Sequence, residues 1–577
     1  MVRGVFRRFA LYVLIGACTL WTINHFRRLH NLGYPLPLTP HGLRWSTLPV
    51  KYPITSMRSP PSGKPLDLPS VQYNFPLEST TEKEKRLKRQ AQVKDAFQRC
   101  WKSYWKLARG RDELAPISGG YKDHFGGWAA TLVDSLDTLY IMGFKDEFKE
   151  AVAAVEHIDF GGTRLEEINV FETTIRYLGG LLGAYDLSGE QVLLDKAIEV
   201  GEMVYCAFDT PNRMPITRWR LHDAAALLPQ VAHRQVLIAE IGSLVLELTR
   251  LSQLTGNPKF YDAAARVTDV LESSQNKTHL AGLWPVIVSA ETTDFTTGDS
   301  FTLGGMADST YEYLPKAYAL LGGLVPVYRQ LYETAMQAAI DYLLFRPMIP
   351  DNADILISGN AKVRNKLYQE PQGQHLGCFV GGMFALGSKL FSLPAHLSIA
   401  SKLVDGCIWT YKALPNGIMP ETFHMAPCEK ASECRWDEAA WKKQVAQWAS
   451  VAETDADEVI ERHNLPQGFT AIGDRRYALR PEAIESIFIL YRITGRKDLL
   501  DKAWEMFEAI QKHTKTRLAN TALADVTTVP PTKMDSMESF WFAETLKYFY
   551  LLYSEPDVIN LDEWVLNTEA HPFRRPR

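Results

Sequence analysis

Apolar residues recur at a spacing near 3.6 along most of this 577-residue chain from about residue 82, the mark of helices with one buried face. From Glu82 to Leu107 charges occupy one face and Val93, Phe97, Trp101, Tyr104 and Trp105 another. The same punctuation then returns four times. Met142-Gly143 leads to Lys149-Glu150-Ala151, Ser188-Gly189 to Asp195-Lys196-Ala197, Thr255-Gly256 to Asp262-Ala263-Ala264, and Thr494-Gly495 to Asp501-Lys502-Ala503. In each, an apolar helix ends at a glycine free to take the left-handed conformation, and an amphipathic helix follows. Strand-type alternation is scarce. The pattern predicts helical hairpins in series, one all-α toroid over residues 82–577 rather than three domains. The Pro-, Trp- and charge-rich stretch from Ala426 to Pro466 interrupts it as an insertion between units.

The amino terminus reads differently. Residues 9–26 form the one long uncharged run, with an apolar core of about 15 residues against the roughly 20 usual for a bilayer span. Arg3, Arg7 and Arg8 precede it, Arg27 and Arg28 follow, and no small-x-small cleavage site leads to a mature start. This predicts a single-pass type II signal anchor: a cytosolic tail over 1–8, a span over 9–26 and a lumenal remainder. A short span suits the thinner membranes of the early secretory pathway, endoplasmic reticulum or Golgi. Residues 27–81 are rich in proline and predict an extended stem. Asn276-Lys277-Thr278 is a glycosylation acceptor if lumenal.

Composition narrows the chemistry. Hydrophobic residues at 46% and charged residues at 23% are ordinary for a globular protein, and a net charge of −4 offers no basic field for nucleic acid. There is no His-Glu-x-x-His, no zinc-spaced cysteine pair, no nucleophile elbow and no phosphate-binding glycine loop. What remains is acids embedded in apolar helix ends. Glu172 and Arg176 share a helix face, which an ion pair alone would explain. Asp308 and Glu312 share a face with like charge, an unfavourable arrangement that calls for a partner or ligand. Pro481 suits a helix start, followed by Glu482 and, one turn on, Glu485. Glu544 stands alone in an aromatic run, and Glu569 lies in Asn567-Thr568-Glu569-Ala570-His571-Pro572 near the end. Isolated carboxylates converging on one axial pocket, with no nucleophile partner, fit glycoside hydrolysis.

These blocks resemble the class I α-1,2-mannosidases, glycoside hydrolase family 47, over about residues 95–573. Asp134-Ser135-Leu136-Asp137-Thr138-Leu139, Phe171-Glu172-Thr173-Thr174-Ile175-Arg176, Ala307-Asp308-Ser309 with Tyr311-Glu312-Tyr313-Leu314, His375-Leu376-Gly377-Cys378-Phe379, Arg480-Pro481-Glu482 and the Asn567–Pro572 block match in type and order. The resemblance implies an (αα)7 barrel, a Ca²⁺ at its base and hydrolysis with inversion of terminal α-1,2-linked mannose from high-mannose N-glycans. It implies Glu172 as general acid through a water, Glu482 as general base, Asp308 as third catalytic carboxylate, and Thr568 as calcium ligand through carbonyl and hydroxyl oxygens. Arg176, Glu312, His375, Glu421, Arg480, Glu485, Phe540, Glu544 and Glu569 match positions that line the family's sugar pocket. Cys378 and Cys407 match its disulfide. Cys428 and Cys434 are expected to form a local bridge, Cys18 lies in the span, and Cys100 and Cys206 are expected as free thiols.

Two departures stand out. Met306 occupies the position where endoplasmic-reticulum members trimming one branch carry Arg, which implies a broader or different branch preference. The 426–466 insertion follows directly on Glu421 and is expected to bear on the substrate cleft. The alternative is a catalytically weak, lectin-like relative acting in glycoprotein degradation; such proteins usually lack the disulfide and carry extra domains. A different (α/α) toroid hydrolase is a third reading, opposed by the Asn567–Pro572 block. The catalytic domain is expected to be monomeric.

Overall fold

The computed structural model describes residues 42–576; the predicted anchor, 9–26, lies outside them. Among the described residues no helix is long and apolar enough to cross a membrane.

Helices alternate between an outer and an inner layer. The outer layer comprises α1 (Thr80–Leu107), α3 (Lys145–Glu156), α5 (Gln191–Cys206), α7 (Pro258–Ser274), α9 (Val327–Tyr342), α11 (Pro394–Ala413) and α13 (Asp498–Thr514). The inner layer comprises α2 (Leu136–Ile141), α4 (Gly179–Ser188), α6 (Val245–Thr255), α8 (Asp308–Leu320), α10 (Phe379–Leu390), α12 (Glu482–Thr494) and α14 (Leu546–Leu552). Short helical turns lead into several inner helices, among them Ala130–Asp134, Val170–Glu172, Ile238–Gly242 and the wide turns Thr173–Leu178 and Trp541–Thr545. Each inner segment packs on the next in chain order, the last returns to the first, and α1 packs on α14.

The two layers differ as their sequences demand. Inner helices are apolar nearly all round: eleven of the thirteen residues in α12 are buried. Outer helices bury one stripe; α13 buries Leu499, Ala503, Met506, Phe507 and Ile510 and leaves Asp498 and Asp501 to surface pairs.

Turns from inner to outer helices are short and close the floor of the ring. Gly143, Gly189, Gly256 and Gly495, the punctuation marks of the sequence, have φ of 73°, 73°, 68° and 71°. The return connections are long and form the mouth, with small antiparallel sheets such as 300–302/360–363/367–370 and 372–374/422–425/469–474. The 426–466 insertion lies within one such connection, between α11 and α12. Its helices Glu438–Ala449 and Ala456–His463 brace the strand Phe469–Asp474 through Trp441, whose Nε1 donates to the Phe469 carbonyl at 2.8 Å.

The carboxyl terminus enters the ring from the floor as a hairpin, Trp564–Leu566 against Pro572–Arg574. Room for it is cut into α4. A Cβ on Gly179 would lie 2.6 Å from Asn567 Nδ2, and one on Gly183 3.0 Å from His571 Cβ.

The proline-rich segment departs from expectation. Residues 42–79 are mostly extended, with one short helical turn at Trp45–Thr47, but they are strapped to the helices rather than held off as a spacer. Trp45 and Val71 are 2% and 1% exposed. Trp45 Nε1 donates to the Phe160 carbonyl at 3.0 Å, Leu66 N to the Gly322 carbonyl at 2.8 Å and Tyr73 N to the Arg492 carbonyl at 2.7 Å. The folded unit therefore includes residues 42–79, not only those from 82. Trp45→Ala is expected to cost about 3–5 kcal/mol, as buried aromatic truncations do; a urea midpoint indistinguishable from the parent's would refute the strap's structural role.

Candidate active site

A cavity of about 280 Å³ opens at the mouth on the axis of the inner layer. The three carboxylates expected to be catalytic reach it from three different inner segments: Glu172, Asp308 at the first turn of α8, and Glu482 at the first turn of α12. Met306, Arg176, Glu312, Arg480, Glu485, Phe540, Glu544, Thr568 and Glu569 line it as well.

Local backbone aims these groups. Asn169 caps its helix, accepting from Phe171 N and Glu172 N at 2.9 and 3.3 Å. Arg176 and Glu544 both sit on wide helical turns, a distortion that recurs at functional sites. Met306 and Leu479, which precede the two helices bearing Asp308 and Glu482, hold φ of +75° and +66°, a conformation costing a non-glycine residue about 1 kcal/mol or more.

Two residues expected in the pocket lining stand behind it. His375 is fully buried, with Nδ1 2.7 Å from Glu482 Oε2 and Nε2 2.6 Å from the Tyr411 hydroxyl. A neutral imidazole satisfies both contacts when Nδ1–H donates to the carboxylate and Nε2 accepts from Tyr411. Glu421 accepts from Arg480 Nε at 2.9 Å and from Ala478 N at 3.1 Å. Both residues thus orient groups that face the cavity. The physical reason is reach: the polar atoms of His375 are taken up by Glu482 and Tyr411, and those of Glu421 by Arg480 and Ala478 N.

The protonation states diverge. Burial pushes the Asp308 carboxyl up to about 7, reinforced by Glu312 and Glu482 and only partly opposed by the Ser309 N–H. Burial also acts on Glu482, but the His375 hydrogen bond and the Arg480 charge outweigh it and hold this carboxyl below the usual range. Deeper down, burial raises Glu485, Glu544 and Glu569, reinforced by Glu312 and Glu482 at the first, by Glu569, Glu482 and Glu485 at the second, and by Asp134 and Glu172 at the third, where Arg176 opposes it.

The like-charged pair Asp308 and Glu312 has its partner in Lys316, which the sequence reading passed over. Its ammonium pairs with Glu312 and lies 3.7 Å from Glu485. The signal was there, four residues after Glu312 on the same helix face. A second missed group lies below Arg176, whose guanidinium bonds Glu172 at 2.8 Å, Glu569 at 2.9 Å and Ser539 Oγ at 3.0 Å. Ser539 donates to Asp134, His571 stands between Asp134 and Asp137, and Lys547 pairs with Asp137 at 2.9 Å. Lys547, a lone cation in Leu546-Lys547-Tyr548-Phe549, carried the same signal as Glu544. Arg218, Glu240 and Asn169 complete the rim, with Arg218 Nη2 and Asn169 Nδ2 donating to Glu240 Oε1 at 2.5 and 2.9 Å.

Thr568 sits at the floor in a loop built around Asn567. The Asn567 side chain donates to the Ile175 carbonyl at 3.0 Å and to Glu247 at 2.8 Å, and accepts from Glu569 N and His571 N. Beside Thr568, Glu569 Oε2 is buried without a hydrogen-bond partner. Among the described residues no group of three or more His, Cys, Asp or Glu side chains is placed to hold a metal, so a hard divalent cation at Thr568 would rest on its oxygens with water and sugar hydroxyls, in a cavity with far more acids than bases. Cys378 and Cys407 are bridged, with Cα atoms 6.0 Å apart, as are Cys428 and Cys434. Cys100 and Cys206 are free.

Known proteins resemble the chain over this whole region. An α-1,2-mannosidase from Trichoderma reesei superposes with a TM-score of 0.74 at 32% identity, covering 85% of this chain and 99% of its own. A mannosyl-oligosaccharide α-1,2-mannosidase IA from Spodoptera frugiperda is 34% identical over 489 residues, 83% of this chain and 66% of the relative. The endoplasmic reticulum mannosyl-oligosaccharide 1,2-α-mannosidase of Rattus norvegicus is 35% identical over 525 residues, 90% of this chain and 72% of the relative. The family model for glycosyl hydrolase family 47 matches residues 96–575, so all the carboxylates described above fall inside it. The chain belongs to glycosyl hydrolase family 47, and it is a glycoside hydrolase.

Proposed function

We propose that this protein is a calcium-dependent, inverting α-1,2-mannosidase with a closed (αα)7 barrel, trimming terminal mannose from high-mannose N-glycans in the lumen of the endoplasmic reticulum or Golgi. One observation carries the chemistry: Glu172, Asp308 and Glu482 line one cavity, where His375 and Arg480 favour the charged form of Glu482 while burial pushes Asp308 up to about 7. Carboxylates with divergent protonation states are what acid–base hydrolysis of a glycoside requires. The exposed Asn276 of the glycosylation acceptor and the Cys378–Cys407 bridge support an oxidising, lumenal setting.

In this mechanism Glu482 takes a proton from a water on one face of the sugar. That water bonds to the anomeric carbon as the carbon–oxygen glycosidic bond breaks, and Asp308 delivers its proton to the departing oxygen. Configuration inverts because attack and departure occupy opposite faces. The expectation that Glu172 donates the proton yields here to Asp308, since Glu172 is ion-paired with Arg176. Glu172 then orients the leaving group. Phe540 offers a ring to the sugar's apolar face. Thr568 would hold Ca²⁺, which when bound grips the hydroxyls of the terminal mannose and offsets the surrounding acids.

The test is a time course on Man9GlcNAc2 with residues 42–577, in Ca²⁺ and after EDTA. Mannose is expected to appear first as the β-anomer by proton NMR, with EDTA removing nearly all activity. Initial release of the α-anomer would exclude inversion. Activity that survives complete chelation would exclude the calcium role.

A further inference from the structure

A second group of sugar-compatible side chains lies at the mouth, outside the cavity. His424 is 4% exposed and neither ring nitrogen has a hydrogen-bond partner; Glu370 Oε1 stands 3.7 Å from Nε2. A buried imidazole with neither nitrogen hydrogen-bonded is uncommon, because the Glu370 carboxylate at 3.7 Å offsets only part of its desolvation. Over it lies Trp448, from the insertion helix Glu438–Ala449, with ring centroids 3.9 Å apart. Trp448 is nevertheless 45% exposed.

The neighbouring strand extends the surface. Tyr368 pairs in register with Lys362, and strand alternation puts Tyr368, Glu370 and Lys362 on one face. Tyr368 is 53% exposed, and Lys362 Nζ lies 3.5 Å from Glu370 Oε2. Exposed rings thus alternate with a carboxylate and an ammonium.

The chemistry of this mixture selects the ligand. An apolar protein partner would desolvate Glu370 and Lys362 with nothing in return. A pyranose brings an apolar C–H face for an aromatic ring and a rim of hydroxyls that both donate and accept. Position selects it too. His424 follows Glu421 by three residues on an extended strand, about 10 Å, and Glu421 holds Arg480 at the cavity wall.

We propose that Trp448, with Tyr368, Glu370 and the supporting His424, forms an auxiliary subsite for a mannose on a second branch of the same oligomannose glycan. This rests on the mannosidase reading and gives the 426–466 insertion a function: it supplies the platform.

The decisive ligand is an α1-3,α1-6-linked mannopentaose, which has no α-1,2 bond and so reports the subsite without turnover. Titrated calorimetrically into residues 42–577, it is expected to bind about fivefold more weakly to Trp448→Ala and to Tyr368→Ser, with Trp448→Phe restoring most of the loss. In parallel, the ratio of kcat/KM on Man9GlcNAc2 to that on α-1,2-mannobiose is expected to fall by a similar factor in the two weakened variants. Tyr368 is an exposed edge position, so its variant keeps the test valid should Trp448→Ala misfold. No mannopentaose binding by the parent, or affinities within twofold of the parent in both variants, would overturn the subsite. Failure of the parent to hydrolyse either substrate would instead remove the mannosidase reading, while the titration still decides the subsite.

Discussion

Glu482→Gln is expected to lower kcat on Man9GlcNAc2 by about a thousandfold, within the range assigned to general acid–base groups. Glutamine keeps the shape of the side chain and still accepts from His375 Nδ1–H, so substrate binding and fold should survive while the proton acceptor is lost. The pH profile carries the finer test. In the parent, kcat/KM should rise as Glu482 deprotonates, below the usual carboxylate range, because His375 and Arg480 favour its charged form. It should fall as Asp308 deprotonates near 7, since a general acid works only while it holds its proton. Asp308→Asn should abolish that descending limb along with most of the rate. A descending limb unchanged in Asp308→Asn would return the donor's role to Glu172. Replacing His375 should move the ascending limb upward without removing Glu482 itself.

A large effect on stability is expected at Lys547. Lys547 and Asp137 are wholly buried, with Nζ 2.9 Å from the carboxylate, and Asp137 also accepts from His571 Nδ1 at 2.8 Å. Burial works against the Asp137 charge, but Lys547 and His571 outweigh it and hold this carboxyl below its ordinary value. Lys547→Met leaves that carboxylate with His571 as its one charged partner, beside the Thr138 hydroxyl at 3.3 Å, at a cost of about 3–5 kcal/mol. The double variant Lys547→Met/Asp137→Leu should recover much of the loss, because removing both charges also removes the desolvation problem. Lys547 Nζ further donates to the Ala570 carbonyl at 2.8 Å, two residues from Thr568. The single variant should therefore weaken calcium retention as well, measured by equilibrium dialysis. A melting temperature within about a degree of the parent's would show that this pair does not hold the floor.

The sign of the linkage at the same floor follows from its charges. The folded-state value of Asp137 is depressed, so its contribution is present above the ordinary aspartate range and is lost as pH falls through the folded value. His571 is raised despite burial, by Asp137 and Asp134, so its contribution is present at low pH and is lost as pH rises through the raised value. The two oppose each other, and the pair is best held between those limits.

The helical layers, the glycine turns and the identities of the acids are legible in the order of residues alone. Those features are local. A left-handed cap needs a glycine at one position, an amphipathic face needs a period, and an acid in an apolar run announces its own cost. Met142-Gly143 and Glu544 could be read without knowing what lay across the ring. The six motif blocks also carried the family, and the Cys378–Cys407 bridge came with it.

Other features depend on atoms far apart in the chain and emerge with the fold. His375 touches Glu482 across 107 residues, and Lys547 meets Asp137 across 410. No spacing rule reaches that far, so both ions of a buried pair look like isolated anomalies until the fold joins them. The protonation split between Asp308 and Glu482 likewise arises from burial and from neighbours on other helices, not from residue type. The strap shows the same limit in the opposite direction. Closely spaced prolines told correctly that residues 42–79 hold no long helix, since each removes a backbone donor and fixes φ, but such a chain can float or be tied down. Trp45 under Phe160 and Val71 in the core settled that question, because burying those side chains repays the entropy of ordering the segment.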